Sequence, residues 1–118
     1  MPRKLAQSFR YAGHGVKHAL ATQRNIRFHM VIALIVIIFG YLLKLSTYEL
    51  AALAIAICFV IVSEMINTSI EEAINLMTTT HRAEAKIAKD VAAGAVLFSA
   101  VCAIIVGCLI FIPHIINK

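Results

Sequence analysis

The hydrophobic pattern changes character along the chain. Leu5, Phe9, Ala12, Val16, Ala19 and Leu20 return at helical spacing, while Lys4, Arg10, Lys17 and Arg24 recur every six or seven residues on another face. This predicts an amphipathic helix over 5–27, lying in a membrane interface with its apolar side down and its basic side toward the headgroups. Gly13 and Gly15 weaken that helix and mark an expected bend. Apolar runs then take over. Residues 30–43 are apolar, extended inward by Ile26 and Phe28 and outward to Leu45, with Arg27 snorkelling, so a first crossing is expected at 28–45. Residues 44–49 form a polar turn with an interfacial tyrosine, Tyr48. The run 50–62 opens a second crossing, expected over 49–77 with a polar extension. Residues 78–89 are hydrophilic and are expected to be a loop. Residues 91–112 are long enough to cross the bilayer, which places a third crossing at 90–113, stopped by Pro113.

Composition agrees. The 118 residues are 61% hydrophobic and 14% charged, against about half and about a quarter in soluble domains. Strand-like alternation is absent, so the expected fold is an all-α integral membrane protein, one domain over 1–118. Cys58, Cys102 and Cys108 sit in apolar runs without metal spacing and are expected to be small core hydrophobes. The first long apolar run follows a long basic segment and carries no small-residue cleavage pattern, unlike a signal peptide.

Charge position adds a topology. Nine of the 11 lysines and arginines fall in the N-terminal segment or in 78–89; Lys44 and Lys118 are the other two. The positive-inside rule then puts the N-terminus and the 78–89 loop in the cytoplasm and the C-terminus outside, at the cell membrane. Nucleic-acid binding fits poorly, because the basic face adjoins membrane spans. Ala95, Ser99, Ala103 and Gly107 stand at four-residue steps in the third span, a pattern that lets helices approach closely. Three helices are few to enclose a polar site, which favours a homo-oligomer.

Against this apolar background one polar stripe stands out. Glu64, Asn67 and Glu71 lie at i, i+3 and i+7, with Thr68 and Asn75 extending the same helical face. Lys86, Lys89, Asp90, Arg82 and Gln23 are expected nearby at the cytoplasmic boundary. Such a mixture suits phosphoryl transfer: carboxylates hold Mg²⁺, cations neutralise the transferred group, and a carboxylate near apolar surface can take a proton from a hydroxyl. No Walker A or glycine-rich kinase loop is present. Three readings of Glu64 stand together on spacing alone: a catalytic base, a structural carboxylate paired with a basic group of another helix, or a carrier in a small transporter. Lys89 and Asp90 read equally as an interfacial ion pair. His81 reads as a surface histidine, His29 as a side chain snorkelling beside a basic interface, and Glu72 as a solvated charge.

The pattern Glu64-x-x-Asn67-Thr68-x-Ile70-Glu71, a short loop with His81, then Ala85-Lys86-x-x-Lys89-Asp90-x-x-Ala93-Gly94-Ala95-Val96 resembles the small prokaryotic diacylglycerol kinase family. Arg24-Asn25-x-Arg27-x-His29 resembles its Gram-positive, undecaprenol kinase branch. The resemblance implies a homotrimer with sites between subunits, ATP as co-substrate, Mg²⁺, and a membrane lipid alcohol as acceptor, undecaprenol rather than diacylglycerol. It implies Glu64 as general base, Asn67 as a positioning group, and Glu71 with Gln23 at the metal. Lys89, Asp90, His81 and Arg10 fall in the nucleotide-binding set. Gln23 and Asn75 stand where the family usually carries acids, so each removes a negative charge near the expected Mg-ATP.

Overall fold

The computed structural model describes residues 4–80 and 82–117. Among them the chain is four α-helices: α1 (Leu5–Thr22), α2 (Arg24–Leu42), α3 (Thr47–Met77) and α4 (Ala83–Ile116). The last three, of 19, 31 and 34 residues, are long and apolar enough to cross a membrane. The all-helical membrane architecture expected from hydropathy is therefore present.

The corner between α1 and α2 falls at Gln23, not at residue 27, and α1 stays helical through both glycines. Gln23 adopts an extended conformation (φ −105°, ψ 107°), which breaks the helix. Arg27 then reaches back from α2 and donates to the Leu20 and Ala21 carbonyls at 3.2 and 2.9 Å. A cation on the last carbonyls of a helix satisfies orphan acceptors and complements the dipole. Arg27 is thus a cap for α1 as well as an interfacial charge. Ala19 and Ile26, both buried, close the inside of the corner.

The turn between α2 and α3 is short because both ends are capped. The Lys44 N–H bonds the Tyr41 carbonyl and the Leu45 N–H bonds the Gly40 carbonyl, at 3.1 Å each, the two bonds of a Schellman motif. Lys44 takes the left-handed position (φ 60°) that usually calls for glycine. Leu45 folds onto Gly40, where an added Cβ would meet Leu45 Cδ1 at 2.9 Å. Ser46 opens α3 with a capping box: its Oγ accepts from Glu49 N–H at 3.1 Å, and its own N–H donates to Glu49 Oε1 at 2.9 Å. Leu45, Leu53 and Ile110 form a small core beneath this turn.

The other end differs from expectation. The hydrophilic stretch shrinks to residues 78–82, and α4 begins at Ala83 rather than at 90. Hydropathy reports which solvent a segment meets, not its backbone conformation. Residues 83–89 are mostly alanine, lysine and glutamate, which favour helix, and Glu84 in the first turn suits the helix dipole. Likewise α4 continues past Pro113 to Ile116, although the proline removes the donor to the Leu109 carbonyl. The three cysteines lie exposed on the helix surfaces rather than in the core. Of the small-residue series in α4, Ser99 is buried and donates to the Val96 carbonyl at 2.7 Å, while Ala95 is exposed.

At roughly 1.5 Å per residue, α3 is about 46 Å long and α4 about 51 Å, against about 30 Å of hydrocarbon. Each is longer than one crossing needs, and Glu64–Asn75 of α3 and Lys86–Asp90 of α4 lie toward the ends that the α3–α4 turn joins.

Candidate active site

The polar stripe of α3 is graded. Glu64 comes first and is buried, at 6% exposure. Val60, one turn earlier, is equally buried, so the carboxylate stands where apolar packing ends. His29, from α2, brings its Nε2 to 3.5 Å from Glu64 Oε1. Thr68 turns back along the helix and donates its hydroxyl to the Glu64 carbonyl at 2.9 Å, so it satisfies its own polarity locally and leaves the carboxylate alone.

One turn on, Asn67 donates through Nδ2 to Glu71 Oε1 at 3.3 Å. That contact fixes the amide orientation and leaves Asn67 Oδ1 buried without a hydrogen-bond partner. A buried acceptor in that state is costly unless something fills it. Further along, Asn75 Oδ1 accepts from Lys89 Nζ of α4 at 2.8 Å. Asp90 pairs with Lys86, at 2.6 Å, and not with Lys89. Neighbours in sequence point about 100° apart on a helix, whereas residues four apart share a face. The ion pair that the sequence allowed between Lys89 and Asp90 is therefore replaced by two separate contacts.

Two cavities flank this stripe. Beyond it, a groove of about 550 Å³ is lined by Asn75, Thr78, Arg82, Lys86, Lys89 and Asp90 among others. Toward the membrane interior, a second groove of about 400 Å³ runs between α2, α3 and α4 past Ile32, Leu53, Val60, Ile104 and Phe111. Its lining is apolar except for His29. Glu64 thus lies between an oily groove and a basic one.

Not every expected site residue joins this arrangement. Gln23 is half-buried at the α1–α2 corner, and Arg10 is exposed on α1. Among the described hydrogen bonds and ion pairs, none links either side chain to Glu71 or Lys89. His81 lies outside the described residues. Among the described residues no three histidine, cysteine or acidic side chains converge as a ready metal cage. Mg²⁺ does not require one: it takes one or two carboxylates and fills its shell with water and phosphate oxygens. Glu71 and the unpartnered Asn67 Oδ1 are hard oxygen donors of that kind. His29, expected to snorkel beside a basic interface, faces the Glu64 carboxylate instead. A single histidine at the start of an apolar run gives no sign of which helix it will face.

The chain is a small helical membrane protein with a buried carboxylate on α3 between an apolar groove and one lined by Lys86 and Lys89, and the comparisons give its class. Residues 10–111 match the prokaryotic diacylglycerol kinase family. A diacylglycerol kinase of Synechocystis sp. (strain ATCC 27184 / PCC 6803 / Kazusa) is 43% identical over 114 residues, 96% of this chain and 65% of that one. An undecaprenol kinase of Bacillus subtilis (strain 168) is 41% identical over 109 residues, 92% of this chain and 89% of that one. The chain therefore belongs to the prokaryotic diacylglycerol kinase family, a family of lipid kinases. It spans just under two thirds of the Synechocystis relative and most of the Bacillus one.

Proposed function

We propose that this protein transfers the γ-phosphoryl group of ATP to the hydroxyl of a long-chain lipid alcohol, undecaprenol, at the cytoplasmic face of the cell membrane. The observation that carries the reading is the order of groups along α3: apolar groove, Glu64, Asn67–Glu71, then the groove of Lys86 and Lys89. The acceptor's chain lies in the apolar groove with its hydroxyl at Glu64. The nucleotide's phosphates lie in the basic groove, where Lys86, Lys89 and Arg82 oppose their charge. Asn75 holds Lys89 in place and Asp90 holds Lys86, so both cations are oriented before the nucleotide arrives.

Glu64 accepts the proton of the lipid hydroxyl as its oxygen bonds to the γ-phosphorus. The bond from that phosphorus to the β,γ-bridging oxygen breaks, and ADP leaves with the electron pair. Glu71, Asn67 Oδ1 and the Gln23 carbonyl oxygen are the groups that would hold Mg²⁺. Bound there, the ion would supply positive charge to neutralise the transferred phosphates. Gln23 is neutral where an acid is usual, so Glu71 is the carboxylate on which this metal shell depends. Arg10, on α1, joins the nucleotide-binding set, and the family resemblance adds His81 to it.

The active form is a homotrimer with sites completed between subunits. Support comes from the long exposed apolar faces of the helices and from the family resemblance. The excess of cations in the N-terminal segment and around the α3–α4 turn supports a cytoplasmic side for both, with α1 along the interface.

Undecaprenol is favoured over diacylglycerol by the branch-type stretch from Arg24 to His29 and by the near full-length match to the Bacillus relative. The test is phosphorylation by the purified protein with labelled ATP, offering undecaprenol and diacylglycerol in parallel. Labelled undecaprenyl phosphate as the main product is expected. Preferential labelling of diacylglycerol reverses the acceptor assignment, and no labelled lipid removes the kinase reading.

A further inference from the structure

His29 takes no part in the reaction as derived above, yet it occupies an unusual position. It is the one polar side chain among the described lining residues of the apolar groove, and it stands 3.5 Å from the buried Glu64 carboxylate. A polar group at such a depth is normally placed there for a partner. The separation is longer than a good N–H···O hydrogen bond, so Glu64 does not use up the imidazole. Phe28 packs edge-on against the ring, with centroids 5.9 Å apart and planes at 68°.

We propose that His29 is the second hydrogen-bonding contact of the acceptor hydroxyl, with the Glu64 carboxylate as the first. One hydroxyl oxygen can sit at about 2.8 Å from both Nε2 and Oε1 across the existing gap. In that place it donates its proton to Glu64 and accepts the Nε2–H of His29. Its remaining lone pair is left for the γ-phosphorus. During transfer the hydroxyl proton passes to Glu64, while His29 keeps its own. The histidine therefore fixes the direction of attack, which a lone carboxylate cannot do because it can rotate with its bound hydroxyl. The ligand class this pair recognises is a single lipid alcohol at the mouth of a hydrocarbon groove. The proposal rests on the reading of Glu64 as the base.

The test compares the full-length protein with His29→Ala and His29→Gln, using undecaprenol in mixed micelles and Mg-ATP. The glutamine Nε2 reaches about as far as the lost donor, so that variant keeps the hydrogen bond without the ring. The alanine variant is expected to lose roughly tenfold in kcat/KM for the lipid alcohol, the worth of one hydrogen bond. Its KM for Mg-ATP should stay within about twofold, and the glutamine variant should recover most of the loss. Wild-type lipid kinetics in the alanine variant overturn the proposal, as does an equal loss in both variants or a parallel rise in the Mg-ATP KM. Should the alanine variant fail to fold, the glutamine variant decides: near-wild-type kcat/KM supports the proposal, and a folded protein with a tenfold or greater loss overturns it. Glu64→Gln, measured beside them, separates the two readings. Turnover retained there overturns the base assignment and leaves the His29 result to be read on its own.

Discussion

Among the described residues, two glutamate–histidine pairs join the helices, and they are built in opposite ways. Glu49, in the first turn of α3, lies 2.9 and 3.1 Å from His114 Nε2 near the end of α4. The same carboxylate also accepts from the Ser46 backbone in the capping box. Its contacts are short, and both side chains are 31% exposed. Glu64 and His29 are 3.5 Å apart, at 8% and 25% exposure. The first pair is more exposed yet saturated; the second is more buried yet open. A carboxylate whose oxygens are already engaged ties helices together. One that is buried with a gap beside it leaves room for a ligand atom. Residue type alone does not separate these roles, because both pairs are a glutamate on α3 facing a histidine on a neighbouring helix.

The sharpest way to break the contrast is Glu64→Gln, which removes the proton acceptor and keeps the shape. Phosphorylation of undecaprenol should fall by about 10²–10⁴, the range of a positioned general base, with ATP binding retained; near-normal turnover would place Glu64 in the structural class with Glu49. Ala103→Phe probes the groove that gives the second pair its meaning. Ala103 lines it beside Gly107, where no atom stands within 4 Å of an added Cβ. A phenyl ring there displaces about two methylenes of acceptor chain at ~0.8 kcal/mol each, so KM for the lipid should rise roughly tenfold with kcat little changed. An unaltered lipid KM would put the chain elsewhere. Gln23→Glu adds a charge where the metal shell is thin, and a few-fold drop in the KM for Mg-ATP is expected from titrations at fixed lipid. Smallest of all is Glu49→Gln. It should leave lipid turnover unchanged and lower the melting temperature in detergent by a few degrees, measured by thermal unfolding; lost activity would erase the distinction between the pairs.

The three long helices were legible from hydropathy because burial in lipid imposes apolar runs that nothing else requires. The start of α4 was not, since Lys86, Lys89 and Asp90 are polar and yet sit on the helix. The Glu64–Asn67–Glu71 stripe could be found from spacing, being contained in one helix. The contact between His29 and Glu64 and the one between Asn75 and Lys89 join different helices, and local periodicity carries no information on how helices face one another. The end of α1 illustrates the same limit: it is set at Gln23, and the cap on its last carbonyls comes from Arg27 of the next helix.

The uninterrupted run of α3 from the oily groove to the basic one has a consequence for what this protein can accept. A rigid rod works as a depth gauge. On the reading proposed above, it fixes Glu64 in height against Asn75 at the edge of the basic groove, with no break in the helix between them to take up a mismatch. The acceptor must therefore bring its hydroxyl to the level of Glu64 by its own position in the membrane. Lipids would then be sorted by how deeply they carry their alcohol as much as by the shape of their tails.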